Sequence, residues 1–131
     1  MERVGRLDSM ARQIAGAVAL CGLVCAAGGA AAQQSGEQIF RRNCAVCHTV
    51  KEGQNRIGPS LFGVVGRKAG TAPNFAYSEA NKKSGVVWDA ANLDQYLADP
   101  RKFMPGTRMV FAGLKNPEDR KALIDWLAQQ K

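Results

Sequence analysis

The 131-residue chain is poor in residue types on which many enzymes and metalloproteins depend. It has a single histidine, His48, and aromatic residues make up only 7% of it. Two of its four cysteines fall in an apolar segment near the N terminus, which leaves Cys44 and Cys47 for the rest of the chain. A zinc site built from four Cys and His side chains therefore lacks ligands.

The first 32 residues have the pattern of an export signal. Three arginines precede an uncharged run from Ile14 to Ala32, which ends in consecutive alanines. A basic start, an apolar middle and small residues at the end are typical of a secretory signal. We predict that residues 1–32 are a cleaved signal peptide and that residues 33–131 form the mature domain. The alternative is an uncleaved membrane anchor, because a run of 19 residues approaches the spanning length.

Strand-like alternation of apolar and polar residues is also scarce, and apolar residues recur instead at helical spacing. Residues 49–75 are rich in glycine and proline, which predicts loops with local turns. Cap residues start each expected helix, and Pro100 is expected to end the third. The first predicted helix runs from about Glu37 to Asn43 and is capped by Ser35, the second from Ser78 to Lys83, and the third from Asp89 to about Ala98. The last begins at Asn116-Pro117, and Leu123, Trp126 and Leu127 form its apolar stripe.

The chemistry is concentrated in Cys44-Ala45-Val46-Cys47-His48. Cys-x-x-Cys-His is the haem c attachment signature, in which two thiols add to the vinyl groups and the histidine binds iron. Export agrees with such a cofactor. A redox dithiol of the thioredoxin kind would need a βαβ context, of which the sequence shows no sign. The predicted cofactor is one covalently attached haem c, with Cys44 and Cys47 as attachment sites.

The second axial position of the iron cannot be filled by another histidine. Methionine, lysine, water or no ligand remain, and Met104 and Met109 are the methionines of residues 33–131. Met104 directly precedes Pro105, whereas Met109 follows an extended Pro-Gly-Thr-Arg segment suited to presenting a thioether. Either methionine could equally be core packing, which is the commoner role of this residue.

Charge gives a weaker indication. The chain carries a net charge of +7, and residues 33–131 keep an excess of basic residues. This balance suits an acidic partner or transient association with a membrane surface. The basic residues are scattered among turns, and no basic helix or aromatic-interleaved patch indicates nucleic acid binding.

Residues 36–130 resemble class I cytochromes c of the mitochondrial and proteobacterial periplasmic type. The resemblance implies an all-α fold with three main helices, one short helix and long loops wrapped around one haem. It places Met109 at the axial ligand and Met104 at a core position that is usually aliphatic. It rests on the blocks CAVCHTV (44–50), GPSLFGVVGRKAG (58–70), FAYSEANKKSG (75–85) and DPRKFMPGTRMVFAGLK (99–115).

The resemblance also implies roles for residues around the haem. The Pro59 carbonyl would accept the outer N–H of His48, and Gly36 would permit close packing of the first helix on the last. The side chains of Arg67, Tyr77 and Trp88 would bind or shield a propionate. Beside the Met109 sulfur, the polar network would be formed by Asn81, Tyr96 and Thr107.

Partner docking is implied to involve basic side chains near the exposed haem edge, beside Cys47 and Phe111. Asn43, Ile57 and Asn116 stand where lysine is common in the family, so docking should be weaker though still salt-dependent. The basic residues retained for docking are Arg101, Lys102, Arg108 and Lys115.

We therefore predict a monomeric periplasmic electron carrier with one haem, and not an enzyme. Its expected partners are the acidic surfaces of a bc-type complex, a terminal oxidase or a photosynthetic reaction centre. One alternative is a haem protein with an open iron position, such as a peroxidase or gas sensor. Another is a membrane-anchored form of the same carrier.

Overall fold

The computed structural model describes residues 33–131, which form an all-α domain, as predicted. The predicted signal peptide, and the alternative membrane anchor, lie outside these residues. Within residues 33–131, no helix is long and apolar enough to cross a membrane. The helices are α1 (Gly36–Asn43), α2 (Glu79–Lys83), α3 (Ala90–Ala98), α4 (Pro100–Phe103) and α5 (Pro117–Leu127).

Side-chain caps fix where the main helices begin. The Ser35 hydroxyl accepts the Gln38 N–H while the Gln38 side chain accepts the Ser35 N–H, which completes the expected capping box of α1. Asp89 caps α3 by accepting the Asn92 N–H at 2.8 Å. Asn116 caps α5 by accepting the Glu118 N–H at 2.9 Å. These bonds satisfy N–H groups that a helix leaves unpaired in its first turn.

The sequence prediction missed α4. Pro100 does end α3, as expected, but it also begins a further single turn. The Asp99 side chain closes that turn by accepting the Lys102 N–H at 3.1 Å. Proline at the first position of a helix loses no hydrogen bond, because that N–H has no partner inside the helix. The same residue therefore ends one helix and starts another.

The core forms where α1 and α3 pack on α5. Ile39 of α1 and Leu123 of α5 are completely buried. The rings of Phe40 and Trp126 lie 5.0 Å apart between their centroids. Gly36 allows the two helices to come this close, because a Cβ there would overlap the Ala122 carbonyl oxygen and the Trp126 Cβ. The terminal helices thus meet through backbone as well as side chains.

We expect Gly36→Ala to destabilise the protein by about 2 kcal/mol, since overpacking of this kind costs roughly 1–3 kcal/mol. Alanine is the better helix former by roughly 0.5–1 kcal/mol, so propensity alone predicts the opposite sign. Glu37→Ala is the control in the same turn, as it removes an exposed ion pair with Arg41. That pair contributes less than about 0.5 kcal/mol. Thermal unfolding of the haem-loaded variants measures both, and a stabilised Gly36→Ala would contradict the packing.

The long loops are held by isolated hydrogen bonds rather than by a sheet. Within residues 33–131 the only β-type pairing is one antiparallel bridge between Lys68 and Val87. Beside it, the Trp88 N–H donates to the Arg67 carbonyl at 2.9 Å and the Gly66 N–H donates to the Trp88 carbonyl at 2.9 Å. This pairing holds Arg67 and Trp88 next to each other, on the wall of the cavity described below.

Candidate functional site

The loops and helices enclose a cavity of about 550 Å³ with a largely apolar lining. Apolar parts of the wall are formed by Leu61, Val64, Leu93, Leu97 and Leu127. All residues predicted to attach the cofactor, to bind its iron or to contact it also line the cavity. They are Cys44, Cys47, His48, Pro59, Arg67, Tyr77, Asn81, Trp88, Tyr96, Thr107 and Met109.

A tight turn after α1 brings the attachment motif to the cavity. The Cys44 N–H still donates to the Phe40 carbonyl at 2.8 Å, so the cysteine closes the helix. The Cys44 carbonyl then accepts the N–H groups of Cys47 at 3.0 Å and His48 at 2.9 Å. Both thiols are free and half-buried. Burial, with a smaller contribution from Cys47, raises the pKa of Cys44 to about 11, so that thiol is protonated at neutral pH.

The imidazole of His48 is held by the loop that follows it. Its Nδ1 lies 2.7 Å from the Pro59 carbonyl oxygen. Because a carbonyl only accepts, Nδ1 carries the proton and Nε2 keeps a free lone pair. Burial lowers the pKa of His48, which favours this neutral form. Gly58 leaves room for the ring, since a Cβ there would lie 2.7 Å from Nδ1.

A residue that the sequence reasoning missed positions this loop. The Asn55 amide donates to the carbonyls of Pro73 at 2.9 Å and Asn74 at 3.1 Å. Its oxygen accepts the Ser60 N–H at 2.9 Å. Asn55 therefore joins the segment that carries Pro59 to a second loop of the cavity wall. No motif marks such a residue, because its partners are backbone groups distant in the sequence.

We expect Asn55→Ala to lower the free energy of unfolding by about 2 kcal/mol, since each hydrogen bond contributes roughly 0.5–1.5 kcal/mol. The loosened Pro59 carbonyl should also speed exchange of the His48 ring N–H, which NMR measures. Gln54→Ala is the matched control, because Gln54 is exposed and its side chain makes no hydrogen bond within residues 33–131. Equal behaviour of the two variants would show that Asn55 does not position this loop.

Met109 lies in a small polar network. The Tyr96 hydroxyl donates to the Met109 Sδ at 3.5 Å and lies 3.0 Å from the Thr107 Oγ1. Thr107 Oγ1 also accepts the Met109 N–H at 3.3 Å. Because the Tyr96 hydroxyl uses its only proton on the Met109 sulfur, the Thr107 hydroxyl is the donor in the bond between Thr107 and Tyr96. Burial raises the pKa of Tyr96, although Thr107 and Asn81 beside its hydroxyl oppose this, so the phenol stays protonated.

The two methionines occupy different environments. Met104 is 4% exposed, closes α4 with its N–H on the Pro100 carbonyl at 2.9 Å, and does not line the large cavity. Met109 is half-buried, and its sulfur is in contact with a donor beside that cavity. The structure therefore offers one methionine sulfur, not two, to a group bound there.

The polar part of the wall fits an anionic group. Arg67 is half-buried, donates to the carbonyls of Ser60 and Phe62 at 2.9 Å, and forms no ion pair with any of residues 33–131. Burial lowers the pKa of this guanidinium, which nevertheless stays charged. Trp88 is buried, and its indole N–H has no acceptor among those same residues. The Tyr77 hydroxyl accepts the Ala72 N–H and keeps its own proton available.

The four predicted docking residues are all exposed, but they are not equivalent. Arg108 lines the cavity. Arg101 and Lys102 lie on α4 and Lys115 precedes α5, and these three do not line it. The Lys115 ammonium donates to the Ala98 carbonyl at 2.8 Å.

The apolar cavity is lined by two free thiols, a histidine with a free Nε2, a nearby thioether and a guanidinium that forms no ion pair within residues 33–131. Together these groups fit a small all-α haem protein. A family model for cytochrome c matches residues 33–131. The chain belongs to the cytochrome c family, and Cys44 and Cys47 stand at the family's attachment positions. It therefore binds one covalent haem c and is a monohaem electron carrier.

Similar proteins come from bacteria and eukaryotes. Cytochrome c2 iso-2 of Magnetospirillum molischianum is 54% identical over 88 residues, covering 67% of this chain and 91% of that protein. Cytochrome c of Chlamydomonas reinhardtii is 53% identical over 95 residues, covering 72% and 85%. The solved structure of cytochrome cH from Methylobacterium extorquens matches with a TM-score of 0.66 at 48% identity, covering 70% of this chain and 92% of that one.

Proposed function

We propose that this protein carries single electrons in the periplasm between membrane redox complexes, with its haem iron bound by His48 and Met109. The contact that supports this best is the Tyr96 hydroxyl on the Met109 sulfur. That contact orients the thioether within the cavity that His48 also lines. The export-type sequence before Gln33 supports the periplasmic location.

Bound haem would supply the chemistry, a one-electron change between Fe(III) and Fe(II), and the protein would tune it. The Pro59 carbonyl raises the basicity of His48 and fixes its ring. The neutral thioether of Met109 favours the ferrous state and thus a high potential. The hydroxyl of Tyr96 withdraws electron density from that sulfur, which acts in the same direction. Apolar walls keep water away from the two ligands.

Arg67, Tyr77 and Trp88 would bind the propionates. Their three donors face a cavity without any Asp or Glu in its lining, and a buried carboxylate needs such partners to be stable there. Asn81 and Thr107 would hold the Tyr96 hydroxyl in place. These side chains act as supports for the cofactor, and none of them is proposed to act as an acid or base.

The donor is proposed to be a bc-type complex, and the acceptor a terminal oxidase or a reaction centre. Residues 33–131 hold 15 basic and 9 acidic residues, a net charge of +6, which favours approach to acidic partners and to a membrane surface. Arg108, which lines the cavity, would contribute by direct contact. Arg101, Lys102 and Lys115 would contribute through the electrostatic field around the protein. We propose a monomer that docks only for the time an electron needs to transfer.

Membranes of the source organism test this function. Membranes supplied with a quinol should reduce the oxidised protein, and an inhibitor of the bc-type complex should block the reduction. The protein should be recovered from the periplasmic fraction, and its intact mass should equal that of residues 33–131 with one haem. A mass that includes residues 1–32 would support the membrane-anchored form instead. Lack of reduction by membranes, while ascorbate still reduces the protein, would contradict the carrier function.

A further inference from the structure

The chain beyond Met109 makes no hydrogen bond until it reaches the end of α3. Within residues 33–131, the backbone groups of residues 110–113 have no hydrogen-bond partner. The first backbone bond after them is that of the Leu114 N–H, which donates to the Leu97 carbonyl at 2.8 Å. On the other side, Thr107 Oγ1 holds the Met109 N–H at 3.3 Å. The position of Met109 therefore depends on how firmly Leu114 is held.

The last turn of α3 is the support for this segment. Besides the bond of Leu114, the Lys115 ammonium donates to the Ala98 carbonyl at 2.8 Å. Gly113, which has a positive φ, lies so close to α3 that a Cβ there would overlap the Ala98 carbonyl oxygen. The bound carbonyls are among those that a helix leaves without partners in its last turn, where a cation is also favoured by the helix dipole. The segment and the helix end therefore satisfy each other.

Arg120 of α5 binds the same segment. Its side chain is only 12% exposed, and it donates to the carbonyls of Leu114 at 2.8 Å and Lys115 at 3.1 Å. Its Nε also pairs with Asp94 of α3 at 2.7 Å. A guanidinium can make these three bonds at once, because its N–H groups point in fixed and different directions. One side chain therefore ties the segment to both α3 and α5.

Neither cation is placed to act on the cofactor by contact. Lys115 and Arg120 do not line the haem cavity, whereas Met109 does. Any effect that they have on Met109 must therefore pass through the backbone of residues 110–114. Lys115 was expected to dock partners, and its bond to Ala98 gives the same ammonium a role within the fold.

We infer that Arg120 and Lys115 are positioning residues, which keep Met109 at the haem iron by fastening the end of its loop to α3. Release of Met109 requires local opening of the loop, and residues 110–113 offer no bond of their own to resist it. Weaker fastening makes the open state more populated, so another ligand reaches the iron more easily. The inference rests on the proposed ligation by His48 and Met109 and names the residues that maintain it.

Imidazole binding to the oxidised, haem-loaded protein tests the inference, because imidazole must displace Met109 to reach the iron. Arg120→Met should raise the affinity for imidazole about tenfold, since the loop loses two hydrogen bonds of ordinary strength. Lys115→Met removes one bond and should raise the affinity about threefold. Imidazole binds in its uncharged form, so loss of a positive charge does not itself attract it. Hydrogen exchange of the Leu114 N–H should speed up by the same factors.

Two control variants separate loop fastening from charge and from overall stability. Lys121→Ala removes the positive charge next to Arg120 on α5, where the lysine pairs with the exposed Asp125. Ser35→Ala removes the capping box of α1 and lowers the stability of the whole domain without touching the loop. Both controls should bind imidazole as the wild type does.

Three results bear against the inference or against the function on which it rests. Unchanged imidazole affinity in Arg120→Met and Lys115→Met would show that the loop end does not position Met109; if Arg120→Met fails to bind haem, Lys115→Met alone decides. An equal rise in Ser35→Ala would assign the effect to overall stability. Failure of the proposed ligation is distinct, because the oxidised wild type would lack its weak near-infrared band and Met109→Ala would bind imidazole no more tightly than the wild type.

Discussion

Met109→Ala should lower the reduction potential on the order of 0.2 V and abolish the weak near-infrared band of the oxidised protein. Loss of the thioether would remove the proposed ligand that favours ferrous iron, and the choice of axial ligands sets reduction potentials over a range of roughly 0.8 V across haem proteins. The opened position should also admit carbon monoxide to the reduced iron. A redox titration and the near-infrared spectrum of the variant measure these effects.

Met104→Ala is the matched control for this prediction. Met104 is 4% exposed and lies outside the haem cavity, so its loss creates a void in the core. We expect a destabilisation of roughly 2–5 kcal/mol with the band and the potential retained. Retention of the band in Met109→Ala, or its loss in Met104→Ala alone, would contradict the proposed ligand.

Cys44→Ala combined with Cys47→Ala should prevent covalent haem attachment, and the haem-free chain should be unfolded. Without haem, the apolar walls of a cavity of about 550 Å³ would face water, at a cost of roughly 25 cal/mol for each Å² of apolar surface. Domains of this size are stable by only about 5–15 kcal/mol, so the haem-free fold has little stability with which to offset this cost. Far-ultraviolet circular dichroism should show little helix and no cooperative thermal transition.

The double variant also provides its own control. Haem added in excess should restore helicity, because His48 and the apolar walls remain, and Met109→Ala in the same background should weaken the recovery. A haem-free variant that melts cooperatively with native helix content would show that the packing of α1 and α3 on α5 suffices without the cofactor. That result would contradict the view that the long loops depend on haem.

Local signals explain how much of the fold the sequence predicted. The starts of α1, α3 and α5 were correct because Ser35, Asp89 and Asn116 act within a few residues of themselves. Pro100 was read only as a helix end, and α4 was missed because the same ring geometry suits a helix start. The loops of residues 49–75 could be predicted as loops, but not their paths, which depend on distant bonds such as those of Asn55.

The functional site likewise contains residues that the sequence could predict and features that only the structure shows. Cys44, Cys47 and His48 lie within five consecutive residues, so their chemistry could be predicted from their spacing alone. Choosing between Met104 and Met109 needed the family resemblance, and only the structure supplied the Tyr96 contact on one sulfur. The exposure of Val46, Ile57 and Val110 could not be foreseen, since a valine or isoleucine in sequence gives no sign of whether it is buried. Exposure of Ile57 is a property of the folded loop.

Carbon monoxide binding to the reduced wild-type protein tests the central claim most directly. An iron held by both His48 and Met109 has no open position, so the spectrum of the reduced protein should not change when the gas is added at neutral pH. A rapid shift to a carbon monoxide complex would instead show an open iron, and the protein would then be a peroxidase or gas-binding cytochrome rather than a carrier.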